Sequence, residues 1–401
     1  MTTNPSPIAR HIASLAVAAR FGGGSPLDGV RFNLLGGSPA PEALPTEGLA
    51  AAAAEVLARD DAARVTLNYS DVLGNAALRQ WIADREGVDA RRVVITNGAL
   101  HGISLLSRVL LDPGDTVVVE DPTFIVALLA WQLEDARIER LPVSANGFDI
   151  HRLKDALQKG LRPKLVYVIA DFQNPTGTVL ENDGRAALVD LAENYGFTVL
   201  WDNPYRDSRF AGETRADVRT DSDRVVKVNT FSKSVGPGLR LGWLVLPEWL
   251  VDPIVNVRRR TDQQPPTFSQ AVVASLVTTP GAFDGLLDRT RILHRERAQA
   301  LTGSLSRHAG GALRFAEPEG GFFLWTTLAD ADIDPDALQG AARESGLIYV
   351  AGERFSSPGS EKHARALRLG FTNSTPEQLA NAGEVLGQAL ETARRPVARR
   401  A

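Results

Sequence analysis

From Val93 to Leu246 the chain repeats one rhythm: a short, almost continuous apolar run, then a longer stretch with apolar positions at helical spacing. The runs are Val93–Thr96, Thr116–Val119, Ile138–Leu141, Leu165–Ile169, Phe197–Trp201, Val225–Val228 and Leu241–Leu246. Most are rich in β-branched residues and lack strict alternation with polar ones, the pattern of strands covered on both faces. Between them, Gly102–Leu111, Phe124–Leu133 and Gly184–Asn194 read as helices. Strands alternating with helices predict a doubly wound α/β domain around a mostly parallel sheet.

From about Pro280 the rhythm changes. Arg289–Ser306 reads as one long amphipathic helix, and Gly320–Trp325, Leu347–Ala351 and Ala366–Phe371 read as strands, which together predict a smaller α+β domain. Ahead of the rhythm, Asn4–Pro45 is rich in Gly and Pro and reads as an irregular arm.

The bulk numbers narrow the function. A chain of 401 residues has room for one large and one smaller domain. A formal net charge of -4 without a long basic run speaks against nucleic acid as a partner. With no cysteine, disulfides and thiol catalysis are excluded. No apolar run reaches the ~18 residues that a membrane span needs. The apolar stretch Ile8–Ala19 is broken by Arg10 and His11, so neither a membrane anchor nor an export signal is expected and the cytoplasm is the expected location.

The richest chemistry lies in Thr230–Trp243. There Lys233 stands among hydroxyl side chains, a Gly236-Pro237-Gly238 turn and Arg240. An amine able to form an imine, beside hydroxyls and a guanidinium able to hold a phosphate, suits a phosphorylated aldehyde. Open α/β sheets bind ligands beyond the carboxyl ends of their strands, and further candidates stand there. Asp202 follows the strand ending at Trp201, with Tyr205 shortly after it, and Asn174-Pro175-Thr176-Gly177 follows the strand ending near Ala170. Thr96–Gly102 joins a strand to a helix; Gly98 permits close backbone approach, and free N–H groups at a helix start attract phosphate. Each piece alone has a plainer reading: a turn carboxylate, a turn, a core Phe at Phe124, a helix-surface or core histidine at His101.

In order and spacing across most of the chain, these pieces resemble the pyridoxal-phosphate (PLP) enzymes of fold type I, in the class I/II aminotransferase family of the aspartate aminotransferase superfamily. The resemblance implies a large domain with a seven-stranded, mostly parallel sheet sandwiched by helices, and a smaller α+β domain with which the N-terminal arm packs. On this chain the division falls at 1–45, 46–285 and 286–401. The cofactor implied is pyridoxal 5'-phosphate, held by Lys233 as a Schiff base. Asp202 is implied on the pyridine nitrogen, Tyr205 and Asn174 on the ring 3-hydroxyl oxygen, and Phe124 stacked on the ring face. The phosphate is implied to be held by Thr230, Ser232 and Arg240 and by the backbone of Gly98, Ala99 and Leu100. Tyr69 is implied to reach the partner's phosphate across a homodimer with shared active sites. Arg368 is implied to fork onto the substrate α-carboxylate, with Asn174 and Gly37 beside it. No metal is implied. Ala99-Leu100 stands where relatives often carry Ser-Gln, and Phe124 stands where they usually carry Tyr.

The implied reaction moves the amino group of an L-α-amino acid to a 2-oxo acid, with Lys233 transferring the α-proton. The same fold also supports elimination, replacement, cyclisation or oxidation of amino acids, which is the alternative reading. Regulators with an aminotransferase-like domain add a winged-helix module, for which the arm before Pro45 is too short. A dinucleotide oxidoreductase needs Gly-x-Gly-x-x-Gly, which the first strand-to-helix loop lacks. The substrate side chain is expected to meet the arm, the Gln263-Gln264 loop and the partner subunit.

Overall fold

The computed structural model describes residues 28–357 and 360–394; the first part of the expected arm, with Ile8–Ala19, lies outside the described residues. In chain order the strands are β1 (Phe32–Asn33), β2 (Val93–Thr96), β3 (Thr116–Asp121), β4 (Arg137–Ser144), β5 (Gly147–Phe148), β6 (Leu165–Ile169), β7 (Thr198–Asp202), β8 (Val225–Thr230), β9 (Gly242–Val245), β10 (Leu313–Phe315), β11 (Phe323–Leu328), β12 (Leu347–Ile348), β13 (Val350–Ala351) and β14 (Ala366–Gly370).

The largest sheet is eight-stranded, in the order β2-β9-β8-β7-β6-β3-β4-β5. Neighbours from β4 through β3, β6 and β7 to β8 run parallel, while β9 runs antiparallel to both β2 and β8. All the apolar runs read from the sequence are strands of this sheet. The additional strand is β5, a two-residue return against β4, too short to leave a periodic signal. Every residue of β2, β6, β7, β8 and β9 is buried. Burial on both faces follows from the pleat. In β6, Leu165, Tyr167 and Ile169 join one core with Leu106, Val117 and Trp131. Val166 and Val168 face the other, with Leu188, Val199 and Trp201.

The second sheet is antiparallel, in the order β10-β11-β14-β13, and β1 pairs in parallel with β12. The chain after β1 stays on this sheet, since the Gly370 N–H donates to the Leu34 carbonyl at 2.8 Å. Three details differ from the sequence reading. The long helix begins at Ala282, not near Arg289, because Phe283, Leu286 and Leu287 bury against Phe231 and Trp243 of the large sheet's side. The apolar run Leu347–Ala351 is split between two partners, β12 with β1 and β13 with β14. The strand expected from Gly320 starts at Phe323: Gly321 has φ +72°, and a Cβ at Gly320 or Gly321 would strike the Phe172 side chain. Among the described residues no helix is long and apolar enough to cross a membrane.

Candidate active site

The carboxyl ends of β6, β7 and β8 converge beneath the second sheet. Past Thr230 the chain enters a 3-10 turn, Phe231–Lys233. The Thr230 hydroxyl accepts from the Ser232 N–H at 3.1 Å and lies 2.9 Å from both the Ser232 hydroxyl and the Leu241 carbonyl. One donor and two acceptor sites are thereby used. Thr230, expected on the phosphate, also caps the turn that carries Lys233. Lys233 Nζ donates to the Gly37 carbonyl at 2.5 Å and sits 5.6 Å from the ring centres of Tyr205 and Phe322. Burial lowers its pKa to about 8; the Arg368 charge acts in the same direction and Asp202 against it.

At the end of β7, Asp202 is buried, and its Oδ2 accepts from the Tyr167 hydroxyl at 2.6 Å. Its Oδ1 is buried without a hydrogen-bond partner. Burial raises this carboxyl to about 6, opposed by the Tyr167 hydrogen bond and by the Lys233 charge. Tyr205 packs edge-on against Phe322 and Phe323, and burial lifts its phenol above the ordinary range despite the Arg368 charge and a hydrogen bond with Asn174.

Asn174 also joins the two sheets, because its Oδ1 accepts from Arg368 Nη1 at 2.9 Å. Arg368 Nη2 donates to the Leu35 carbonyl at 2.9 Å, and the guanidinium lies 4.0 Å from the Phe323 ring centre. Its Nε is buried and unpartnered, and burial lowers its pKa to about 10. Gly37 belongs to the same wall: a Cβ there would lie 2.7 Å from Phe323 Cζ.

A second feature lies where β2 meets the Ala99–Leu110 helix. Gly98 precedes this helix with φ +83°, and no side chain caps it. Arg240, itself at φ +53°, donates to the Asn97 carbonyl at 3.2 Å, and a Cβ on Gly98 would lie 2.7 Å from Arg240 Nη2. A bare helix start with an adjacent guanidinium is an anion cradle. Ala99 and Leu100 already belong to the helix, which starts three residues before the Gly102 read from the sequence. His101 turns back into the loop: its Nδ1 accepts from the Asn97 N–H at 3.1 Å. Ser232 stays buried beside Thr230, and Phe124 is partly buried at the start of the Ile125–Leu133 helix. Tyr69 is 81% exposed and contributes nothing to the site of its own chain among the described residues.

Sequence reasoning overlooked Tyr167, whose hydroxyl orients Asp202; its signal was the one polar tip inside the apolar run Leu165–Ile169. It also overlooked Phe322, Phe323 and Phe355, aromatic walls of Lys233 and Arg368 brought in from distant segments.

The residues fit pyridoxal phosphate. The orphaned Asp202 Oδ1 suits a protonated ring nitrogen, the Gly98–Arg240 cradle suits a phosphate, and Lys233 suits the aldehyde. Comparisons with known proteins agree. The chain is 32% identical to a 2-aminoadipate transaminase of Thermus thermophilus over 366 residues, 90% of each chain. It is 30% identical to aromatic-amino-acid aminotransferase 1 of Thermococcus litoralis over 372 residues, 90% of this chain and 88% of that protein. The structure of an α-aminoadipate aminotransferase of Thermus thermophilus, solved with N-(5'-phosphopyridoxyl)-L-leucine, is 32% identical and superposes with a TM-score of 0.83, covering 91% of this chain and 93% of that one. Residues 41–386 match the family described as "Aminotransferase class I and II". The chain therefore belongs to the class I and II aminotransferases, enzymes that use pyridoxal 5'-phosphate to move an amino group between an amino acid and a 2-oxo acid.

Proposed function

We propose that this aminotransferase works on L-α-amino acids through a site assembled from Lys233, Asp202, Tyr205, Asn174, Phe124 and Arg368, with Thr230, Ser232, Arg240 and the Gly98–Leu100 backbone on the phosphate. When bound, pyridoxal phosphate supplies an aldehyde and an electron-accepting ring. Lys233 would hold that aldehyde. Its Nζ, whose pKa burial lowers to about 8 in the cofactor-free protein, would be the base that takes the substrate α-proton and gives it back. Asp202 Oδ1 would hold the ring nitrogen in its protonated form, with Tyr167 holding the carboxylate in place from the other oxygen. Tyr205 and Asn174 set the ring's 3-hydroxyl oxygen. Arg368 offers its unpartnered Nε beside Nη2 to the substrate α-carboxylate, with Phe323 and Phe355 keeping water from the guanidinium.

The observation that carries this reading is a pair of cations, partly buried Lys233 and buried Arg368, that form no salt bridge among the described residues and converge on one space. The exposure of Tyr69, together with that of Val65 and Leu67, supports a homodimer in which Tyr69 serves the partner's site. The division into an arm to residue 45, a large domain 46–285 and a small domain 286–401 draws support from the Ala282–His308 helix. Its early residues Phe283, Leu286 and Leu287 pack with the large sheet, while Ala298, Leu301 and Leu305 pack with the small one. A cytoplasmic location remains part of this reading.

The test is an amino-donor screen on holoenzyme, with aromatic amino acids and 2-aminoadipate among the donors because relatives carry those names. A donor without an acceptor should convert the bound cofactor stoichiometrically to its pyridoxamine form and release a 2-oxo acid. Turnover of every accepted amino acid without that form would favour elimination, replacement or oxidation instead.

A further inference from the structure

We propose that Asp121 is a positioning residue, whose ion cluster holds Phe355 and Arg368 of the small sheet over the large one, in the place where a substrate carboxylate is gripped. This rests on the reading of Arg368 as the carboxylate fork. Asp121 closes β3 and its side chain is 11% exposed. Its Oδ2 accepts from Lys362 Nζ at 2.5 Å, and its Oδ1 lies 3.3 Å from His363 Nε2 and 3.5 Å from Arg140 Nη1. Arg140, on the adjacent strand β4, also donates to the Phe355 carbonyl at 3.0 Å. The cluster therefore joins the large sheet to the segment between β13 and β14: Asp121 and Arg140 come from the sheet, and Phe355, Lys362 and His363 from the segment that leads into β14.

That segment reaches the fork directly. Phe355 lies 5.2 Å from the Arg368 guanidinium and 5.8 Å from Trp325, which faces Arg368 across the β11–β14 pairing. Trp325 also lies 6.2 Å from His363. On its other side, Asp121 begins the Asp121-Pro122-Thr123-Phe124 loop that delivers the expected ring-stacking side chain. A single carboxylate thus ties the loop beneath the cofactor to the segment beside the carboxylate fork. Burial opposes its ionisation, but His363 and Lys362 hold its pKa at about 2, so the tie persists through the neutral range. The apolar cores of the two sheets would survive its loss, because Asp121 contributes to neither.

The experiment compares Asp121→Asn, Asp121→Glu, Lys362→Met and Arg368→Lys holoenzymes with wild type. Steady-state kinetics, cofactor retention on dialysis and amide hydrogen exchange over 352–368 are measured, the exchange with and without a saturating unreactive α-methyl amino acid. Asp121→Asn should raise the amino-acid KM about tenfold, the size expected for a charge-assisted contact, with a much smaller change in kcat and unchanged cofactor retention. The exchange protection that the α-methyl amino acid adds over 352–368 should be lost. Asp121→Glu should recover part of both. Lys362→Met should shift both in the same direction by less; its site is half exposed, so it carries the test if Asp121→Asn fails to fold. If Arg368→Lys raises KM while Asp121→Asn and Lys362→Met do not, the positioning role is wrong and the carboxylate reading stands. If Asp121→Asn instead sheds cofactor with no change in exchange, the cluster serves only the Phe124 loop and the proposal falls. If Arg368→Lys also leaves KM unchanged, the carboxylate reading fails first.

Discussion

Two lysines close together in sequence show what separates scaffold from site. Lys227 lies in β8 and is 3% exposed. Its amine donates to both Glu86 and Asp217, and Arg206 joins the same two carboxylates. Lys233 follows that strand and is also largely enclosed, yet its amine meets only a carbonyl, that of Gly37. Burying an ion is costly unless an opposite charge and hydrogen bonds compensate. The Lys227 cluster is compensated by the chain itself. The site is not: Lys233 and Arg368 lack carboxylate partners among the described residues, and Asp202 keeps one buried oxygen free. Such uncompensated charge is what a ligand of complementary charge would settle, and perturbed groups of this kind cluster at functional sites.

Substitutions that discharge each cluster should therefore fail differently. Lys227→Met breaks a buried pair and should lower unfolding free energy by about 3–5 kcal/mol, while the kcat of the remaining folded enzyme stays near wild type. Chemical denaturation alongside active-site titration measures this, and a large fall in kcat without a stability loss would erase the contrast. Asp202→Asn should do the reverse. Cofactor binding and stability should hold, while turnover falls by on the order of 10²-fold or more, because a neutral amide cannot keep the ring nitrogen protonated.

The cofactor-free protein sharpens the comparison by pH. Lys233 has its pKa lowered from 10.5 to about 8, so the native state binds fewer protons than the unfolded chain between those values. Its contribution to stability is full above 10.5 and is lost as pH falls through about 8, a change of up to about 3 kcal/mol. Asp202 runs the other way: raised from 3.8 to about 6, it favours the fold below 3.8 and that contribution is lost as pH rises through about 6. Lys233→Met should flatten the alkaline rise in unfolding free energy. A flat wild-type profile between about pH 8 and pH 10 would mean that the amine is solvated. Smallest in expected size is Arg368→Lys, which should raise KM for amino acids by about tenfold while cofactor spectra stay normal, since an ammonium cannot reproduce a planar fork. Wild-type enzyme should reject the amine made by decarboxylating its substrate, and equal rates on the two would assign Arg368 elsewhere.

The large sheet was legible in the sequence because most of its strands are buried on both faces and run as unbroken apolar segments, Val93–Thr96 and Leu165–Ile169 among them. β5 and β10 were not, since two or three residues carry no period. At the strand ends of the large sheet, Asp202 and Asn174 read locally only as turn residues, and their expected roles came from the order of the motifs along the chain. Tyr167 was hidden because a phenol in an apolar run reads as core, and only the tertiary structure sets its hydroxyl against Asp202. The Thr230 hydroxyl also caps the turn that carries Lys233, a contact that only the tertiary path past β8 creates. The pairing of Lys362 and His363 with Asp121 joins residues hundreds of positions apart, beyond the reach of any local pattern.

The central claim is that Lys233, and not the more deeply buried Lys227, receives the cofactor. The chain has six lysines, so reduction of the loaded enzyme with borohydride, followed by peptide mapping, decides it directly. The account predicts one phosphopyridoxyl label per chain, on the peptide containing Lys233, and no label in Lys233→Ala. A label on Lys227 or on any other lysine of the wild-type enzyme would contradict it.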